Sequence, residues 1–209
     1  QTQATADLDR ATNTLYVRTT TMPTSSTDPG TIHVIDAATG AETSAVAAPN
    51  SGIIRADGNG ALVGTCSSDG ITRHFCRTDP STGVTTRLQA LPEIAKLLYV
   101  SGMSVDAARG RYYTIGEATA SAEPTLFTLD LATGAIVTSS SLNNAGPVPS
   151  IRVTTTGALV GARASNASLE LYTVDPATGT VMGISSLPGP QGNDSSVNAL
   201  DAAANRFYY

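Results

Sequence analysis

Four times in this chain an apolar run closes on Asp, two intervening residues, Thr and Gly. The phrase reads HVIDAATG at Asp36 to Gly40, CRTDPSTG at Asp79 to Gly83, FTLDLATG at Asp130 to Gly134 and YTVDPATG at Asp175 to Gly179. Its Asp residues lie 43, 51 and 45 positions apart, a period that belongs to architectures with one supersecondary unit per repeat. Asp suits the first position of a tight turn because its carboxylate accepts backbone N–H bonds from residues two and three further on. Pro80 and Pro176 have φ preset for the next position, and Gly at Asp+4 takes the left-handed conformation that closes a hairpin with a bulge. Ahead of each Asp, Ile35, Thr78, Leu129 and Val174 alternate with His33, Cys76, Phe127 and Tyr172 to form one strand face, expected to be core. A second strand follows each Gly, such as AIVTSSSL from Ala135 or TVMGISSL from Thr180.

A second hairpin alternates with the first. Its turns lie at Asp9, Asp57, Asp106, Thr154 and Asp201, spaced 48, 49, 48 and 47 residues. Three or four residues after each stands Asn13, Gly60, Gly110, Gly157 or Asn205, the two residue types that best tolerate positive φ. Further along come Tyr16, Val63, Tyr113, Val160 and Tyr208, a regular large or branched position in the next strand. One unit is thus four short strands in two hairpins, the size of a β-propeller blade. The fold class is all-β, a β-propeller of four-stranded antiparallel blades within one domain spanning 1–209. Blades begin near Thr5, Ile53, Met103, Ser150 and Val197, giving four complete blades and a half blade. A half blade leaves an unpaired edge, which is costly, so the expectation is a piece of a longer polypeptide; the alternatives are a five-bladed ring with one incomplete blade and closure by another chain. No segment has a sustained helical period; LPEIAKLLYV, Leu91 to Val100, is either one helical turn or a connection between blades.

These words resemble the YVTN-type repeats of surface-layer-associated propellers, with broader similarity to lactonase-like and NHL-like seven-bladed groups. The matching stretches are TLYVRT at Thr14 to Thr19, TIHVIDAATGAETSAV at Thr31 to Val46 and TLFTLDLATGAIV at Thr125 to Val137. The resemblance covers nearly the whole chain and implies an architecture rather than an activity, since such blades serve adhesive surface proteins, hydrolases, lyases and cofactor-binding enzymes alike.

Only 14% of the residues are charged, against about 25% in typical soluble domains, and hydroxyl and small side chains are abundant, a balance suited to extracellular material. A net charge of −5 with no basic stripe argues against nucleic acid, which needs clustered Lys or Arg. No apolar stretch reaches the ~18 residues of a membrane span. Cys66 and Cys76 fall on neighbouring antiparallel strands of one blade, where a cross-strand disulfide is geometrically reasonable; the alternative is two buried thiols. Asn166 and Asn193 each open an N-x-S triplet in an expected connection, accessible to a glycan. Together these features favour a secreted or cell-surface location.

Chemistry is sparse. His33 and His74 are the only histidines; both share the parity of the core face, so packing is the simpler role, and no third ligand at zinc spacing accompanies them. Single carboxylates at successive turns lie too far apart to share calcium, and no D-x-D-x-D-G loop is present, so the recurring Asp residues read as turn caps and no cofactor or metal is expected. Arg55 and Arg152 stand in the innermost strands, where they either form structural salt bridges or contact an anionic ligand near the axis, with Asp57, Asp106 and Asp201 as counter-charges. No G-x-S-x-G elbow, phosphate loop or dinucleotide fingerprint occurs. The leading expectation is a non-catalytic extracellular propeller that serves as a structural, adhesive or binding module for other protein chains or surface glycans. One alternative is a lactonase-like or lyase-like enzyme with an axial site, for which the connecting loops offer Glu93, Tyr99 and Asp194 but no His. Another is a filament or lattice subunit that assembles through its open edge strand.

Overall fold

The computed structural model describes residues 2–21, 30–48, 53–67, 72–94, 96–97, 102–118, 123–142, 150–164, 168–188, 199–201 and 206–208. Among them the chain is all-β. Four antiparallel four-stranded sheets form the blades of a β-propeller, each built in simple up-and-down order. The first blade contains β1 (Thr2–Asp9), β2 (Thr14–Thr21), β3 (Thr31–Asp36) and β4 (Glu42–Ala47); the second contains β5 (Ile53–Ala56), β6 (Leu62–Cys66), β7 (His74–Thr78) and β8 (Thr85–Ala90). After β9 (Lys96–Leu97), the third blade runs through β10 (Met103–Asp106), β11 (Arg111–Glu117), β12 (Pro124–Asp130) and β13 (Ile136–Ser141). The fourth comprises β14 (Arg152–Val153), β15 (Leu159–Ala164), β16 (Ser168–Val174) and β17 (Val181–Pro188), and a two-stranded sheet follows, β18 (Ala199–Asp201) with β19 (Arg206–Tyr208). The chain divides into two compact units, Gln1–Pro92 and Glu93–Tyr209; the first holds blades one and two.

The segment expected to be a helical turn or a connection contains β9, which pairs with Gly116 and Glu117 of β11 and adds a short fifth strand to that sheet. The described helical structure is a 3₁₀ turn at Ala107–Arg109, inside an inner hairpin.

The letters of the repeated phrase each have a hydrogen-bonding reason. The Asp36 carboxylate accepts from Ala38 and Thr39 N–H at 2.8 and 3.0 Å. Asp130 does the same for Ala132 and Thr133, Asp79 accepts from Ser81 N–H and its hydroxyl, and Asp175 accepts from Ala177. The Thr hydroxyl takes the N–H of the residue after Gly, at 3.2–3.3 Å in all four copies. Each Gly donates to the Asp carbonyl at 2.8 Å with φ between 72 and 78°. The third-to-fourth strand register then shifts once per blade, at Val34/Ile35, Phe75/Cys76, Thr128/Leu129 and Leu171/Tyr172, which is the expected bulge.

Hydrogen bonds hold all four carboxyls below their ordinary value of 3.8: backbone N–H groups lead at Asp36, Asp130 and Asp175, and the Ser81 hydroxyl leads at Asp79. A depressed folded-state value means the ionised form favours the fold. That contribution is complete above the unfolded-state value and disappears as pH falls through the lowered one. Thermal melts from pH 7 downward should therefore show stability falling below about pH 4, and Asp36→Asn, which keeps a neutral acceptor oxygen, should flatten part of that fall by lowering the stability at pH 7 toward the acid value. An unchanged acid limb in Asp36→Asn contradicts the assignment.

Alternation buries both faces of the interior strands. In the first unit Tyr16, Ile32 and Ala48 of the first blade pack on Ile54, Ala56 and Leu62 of the second. In the second unit Tyr113, Ile115 and Leu126 pack on Ile151, Leu159, Tyr172 and Val174. Thr78, Leu129 and Val174, and Cys76, Phe127 and Tyr172, are buried as their alternation predicts. The first blade departs from this: Ile32, on the opposite face, is fully buried while Ile35 and His33 are half-buried. Within its unit the second blade covers the Ile32 face, so strand alternation here marks the other side as core.

Candidate functional site

Inner strands carry the polar groups with most chemical potential, and the reason is geometric. Each inner strand pairs on one edge only within its own sheet, so N–H groups on the other edge need partners from elsewhere. In the first unit the Asp7 carboxylate of β1 accepts Ala56 N–H of β5 at 2.8 Å. In the second, the Ser104 hydroxyl of β10 accepts Val153 N–H of β14 at 3.0 Å. Both bonds join residues 49 apart and bridge consecutive blades at the same repeat position.

That position, two residues before the turn, is occupied in order by Asp7, Arg55, Ser104 and Arg152. Arg55 is buried and donates from Nη1 to Ile54 O at 3.0 Å. Half-buried Arg152 repeats this, donating to Ile151 O at 2.7 Å and reaching Met103 O at 3.5 Å. Both guanidinium groups thus hold the carbonyl of the residue just before them. The expected counter-charges have other work. Asp57 accepts Asn59 and Ala61 N–H through Oδ1 and faces Arg77 through Oδ2 at 3.4 Å. Asp106 caps Arg109 N–H through Oδ1 and takes its guanidinium through Oδ2, both at 3.0 Å. The Asp201 side chain lies outside the described residues. Asp9 caps Ala11 and Thr12 through Oδ1, and its buried Oδ2 has no hydrogen-bond partner. Burial raises the hydroxyl pKa of Tyr16, as do the Asp9 and Asp57 charges, and burial followed by Asp106 raises that of Tyr113.

Arg109 does more than cap. Its Nη2 crosses to the next blade and donates to Thr156 O at 2.7 Å, while Gly157 leaves room for the guanidinium where any Cβ would collide with it. Arg109→Ala removes this latch and leaves the buried Asp106 carboxylate without its ion partner. The expected loss is about 1–3 kcal/mol in urea unfolding, and a loss below about 0.5 kcal/mol, the surface-substitution range, contradicts the latch.

The two histidines do not meet a shared partner. His33 lies between the Thr19 hydroxyl, 3.1 Å from Nε2, and the Glu42 carboxylate, 3.2 Å from Nδ1. His74 is half-buried, with Nδ1 lacking a hydrogen-bond partner. Among the described residues no group of three or more His, Cys, Asp or Glu is placed to share a metal ion. Cys66 and Cys76 are joined by a disulfide with Cα atoms 6.0 Å apart. The register makes it diagonal: Cys66 lies opposite His74, and Cys76 opposite Gly64. Asn166, Asn193, Tyr99 and Asp194 lie outside the described residues. Glu93 is exposed in the connection that follows the second blade. No described helix is long and apolar enough to cross a membrane.

Sequence reading missed Asp7 and Ser104. Their signal was present: each is a polar side chain at the same offset from its turn as Arg55 and Arg152, inside an inner strand.

No protein-family model matches the sequence, and no curated protein matches it. Solved structures do. The chain is similar to TolB from Acinetobacter baumannii (15% identity, TM-score 0.55), covering 90% of this chain and 43% of that one. It is similar to a gluconolactonase from Xanthomonas campestris (15%, TM-score 0.52), covering 99% and 82%. A chain of the nidogen/laminin complex also matches (13%, TM-score 0.53), covering 88% and 62%. At these identities the likeness is one of fold.

Proposed function

We propose that this chain is a non-catalytic propeller module that binds other protein chains or surface glycans in an oxidising, extracytoplasmic setting. The observation that carries the reading is the engagement of its recurrent charged groups. The phrase aspartates cap their own turns, Asp57 and Asp106 cap inner turns and pair with Arg77 and Arg109, and Arg55 and Arg152 hold strand carbonyls. A general acid or base needs a group poised toward substrate rather than committed to the backbone. The disulfide supports an oxidising compartment, and a fold neighbour within the nidogen/laminin complex belongs to a protein–protein assembly.

The test presents the oxidised chain in parallel to a glycan array, to surface proteins of its source cell, and to a panel of sugar lactones with and without divalent cations. The reading expects saturable binding to a defined protein or glycan and no lactone turnover. Saturable hydrolysis that Arg152→Ala abolishes while the fold persists overturns it.

A further inference from the structure

The inner turns where blade one meets blade two and those where blade three meets blade four are copies of each other. Each residue of the first junction has its counterpart 97 positions further along: Asp9 and Asp106, Thr12 and Arg109, Asn59 and Thr156, Gly60 and Gly157. The backbones keep one register, since the bond from Ala56 N–H to Asp7 is matched by that from Val153 N–H to Ser104. Each junction lies within a single compact unit.

The decisive difference is one side chain. At the later junction the Arg109 guanidinium binds Asp106 Oδ2 at 3.0 Å and donates to Thr156 O at 2.7 Å. It passes over Gly157, its Cζ 2.6 Å from where a Cβ would stand. At the earlier junction Thr12 brings no cation. Asp9 Oδ2 is buried without a hydrogen-bond partner, and nothing lies within 4 Å of a Cβ built at Gly60. Arg77 is engaged by Asp57, and Arg10, exposed on the same turn as Asp9, does not hydrogen-bond to that oxygen. Besides burial, the charges of both Asp9 and Asp57 raise the Tyr16 hydroxyl pKa, which places the two carboxylates around one spot. The carboxylate, the carbonyl position and the glycine are thus all retained, without an arginine of this chain to join them.

We propose that the Asp9–Asn59–Gly60 site receives a guanidinium group from outside the chain, the arginine side chain of a partner protein. The chemistry is read from Arg109: an ion pair to a buried carboxylate oxygen and a donor to a neighbouring carbonyl, made by one planar group. Burial of the carboxylate does not bar the approach, because Asp106 is equally buried and is reached by an arginine that is 47% exposed. Thr12 and Asn59, exposed on the two turns, mark the same route at the earlier junction. The site gives the binding reading above a chemical preference; it rests on that reading for the source of the guanidinium and on the repeat geometry for everything else.

The test follows the Thr12 and Gly60 amide NMR signals of the full 209-residue chain during titration with methylguanidinium chloride at millimolar concentration, far below the denaturing range. N-methylurea and sodium chloride are the controls, and N-acetyl-arginine amide with its neutral citrulline analogue forms a second arm. Methylguanidinium and the arginine amide should both move these signals saturably, while the neutral analogues and the salt should not. Asp9→Asn, its fold verified by circular dichroism, should weaken both at least about tenfold because the ion pair is lost. Thr12→Arg, which rebuilds the Arg109 latch, should abolish the response and raise the urea midpoint; Asp9→Asn decides alone where that variant does not fold. No saturable shift, an equal shift with N-methylurea, or an undiminished one in Asp9→Asn overturns the site. A response to methylguanidinium with the arginine amide excluded overturns its assignment to a partner's side chain. All of these outcomes leave binding to proteins or glycans at other surfaces to be decided by the array.

Discussion

Gly83→Ala and Gly179→Ala should each destabilise the chain far more than Gly40→Ala, although all three glycines occupy the same letter of the same phrase. All three hold φ near +72°, where an L side chain costs about 1–2 kcal/mol. The difference comes from what lies outside the turn. A Cβ at Gly83 would run into Ala47 O on β4 of the preceding blade, and one at Gly179 into Ser141 O on β13. At Gly40 nothing lies within 4 Å. Overpacking against a backbone carbonyl adds about 1–3 kcal/mol, because a main-chain atom cannot rotate away as a side-chain tip does. Urea unfolding should place Gly40→Ala about 1–2 kcal/mol below wild type and the other two about 2–5 kcal/mol below. Equal losses at all three positions would mean the turns of the second and fourth blades do not seat on the blade before them.

Removing the disulfide should have a comparable effect by a different route. Cys66 and Cys76 are 10 residues apart, and closing a loop of that size withdraws about 2.5–3 kcal/mol of chain entropy from the unfolded state. The Cys66→Ser/Cys76→Ser variant should unfold at lower urea than the oxidised chain, its unfolding free energy lower by at least that amount. Reduction of the wild-type chain should reproduce most of the shift. The loss includes placing hydroxyls at two buried positions, so reduction is expected to cost less than the double substitution. A midpoint unmoved after verified reduction excludes a stabilising role.

Much of this fold is legible in the sequence because the same local chemistry recurs. Asp, Thr and Gly each satisfy a backbone requirement that depends only on residues within five positions, so Asp36, Asp79, Asp130 and Asp175 announce their turns without tertiary information. Asn13, Gly60, Gly110 and Gly157 do likewise, all with positive φ. What is not legible depends on the neighbouring blade. Alternation in TIHVID has two sides, and the decision between Ile32 and Ile35 as core rests on which side another sheet covers. The disulfide partners are readable from strand adjacency, but their diagonal placement depends on the register in which β6 pairs with β7. At the candidate site, Arg55 and Arg152 stand out by charge. Their engagement with Ile54 and Ile151 carbonyls does not, since an arginine that braces its own strand and one that awaits an anion have the same letter. Asp7 and Ser104 escape notice because their partners, Ala56 and Val153 N–H, lie a full repeat away.

One phrase builds one turn four times, which leaves its carboxylates structural. Carbon-detected NMR titration of the side-chain carboxyls tests this directly, because ionisation reports the hydrogen bonds each oxygen accepts. Asp36, Asp79, Asp130 and Asp175 should all titrate below 3.8. Any one of them titrating at or above that value would show a carboxylate released from its turn, and so not structural in that blade.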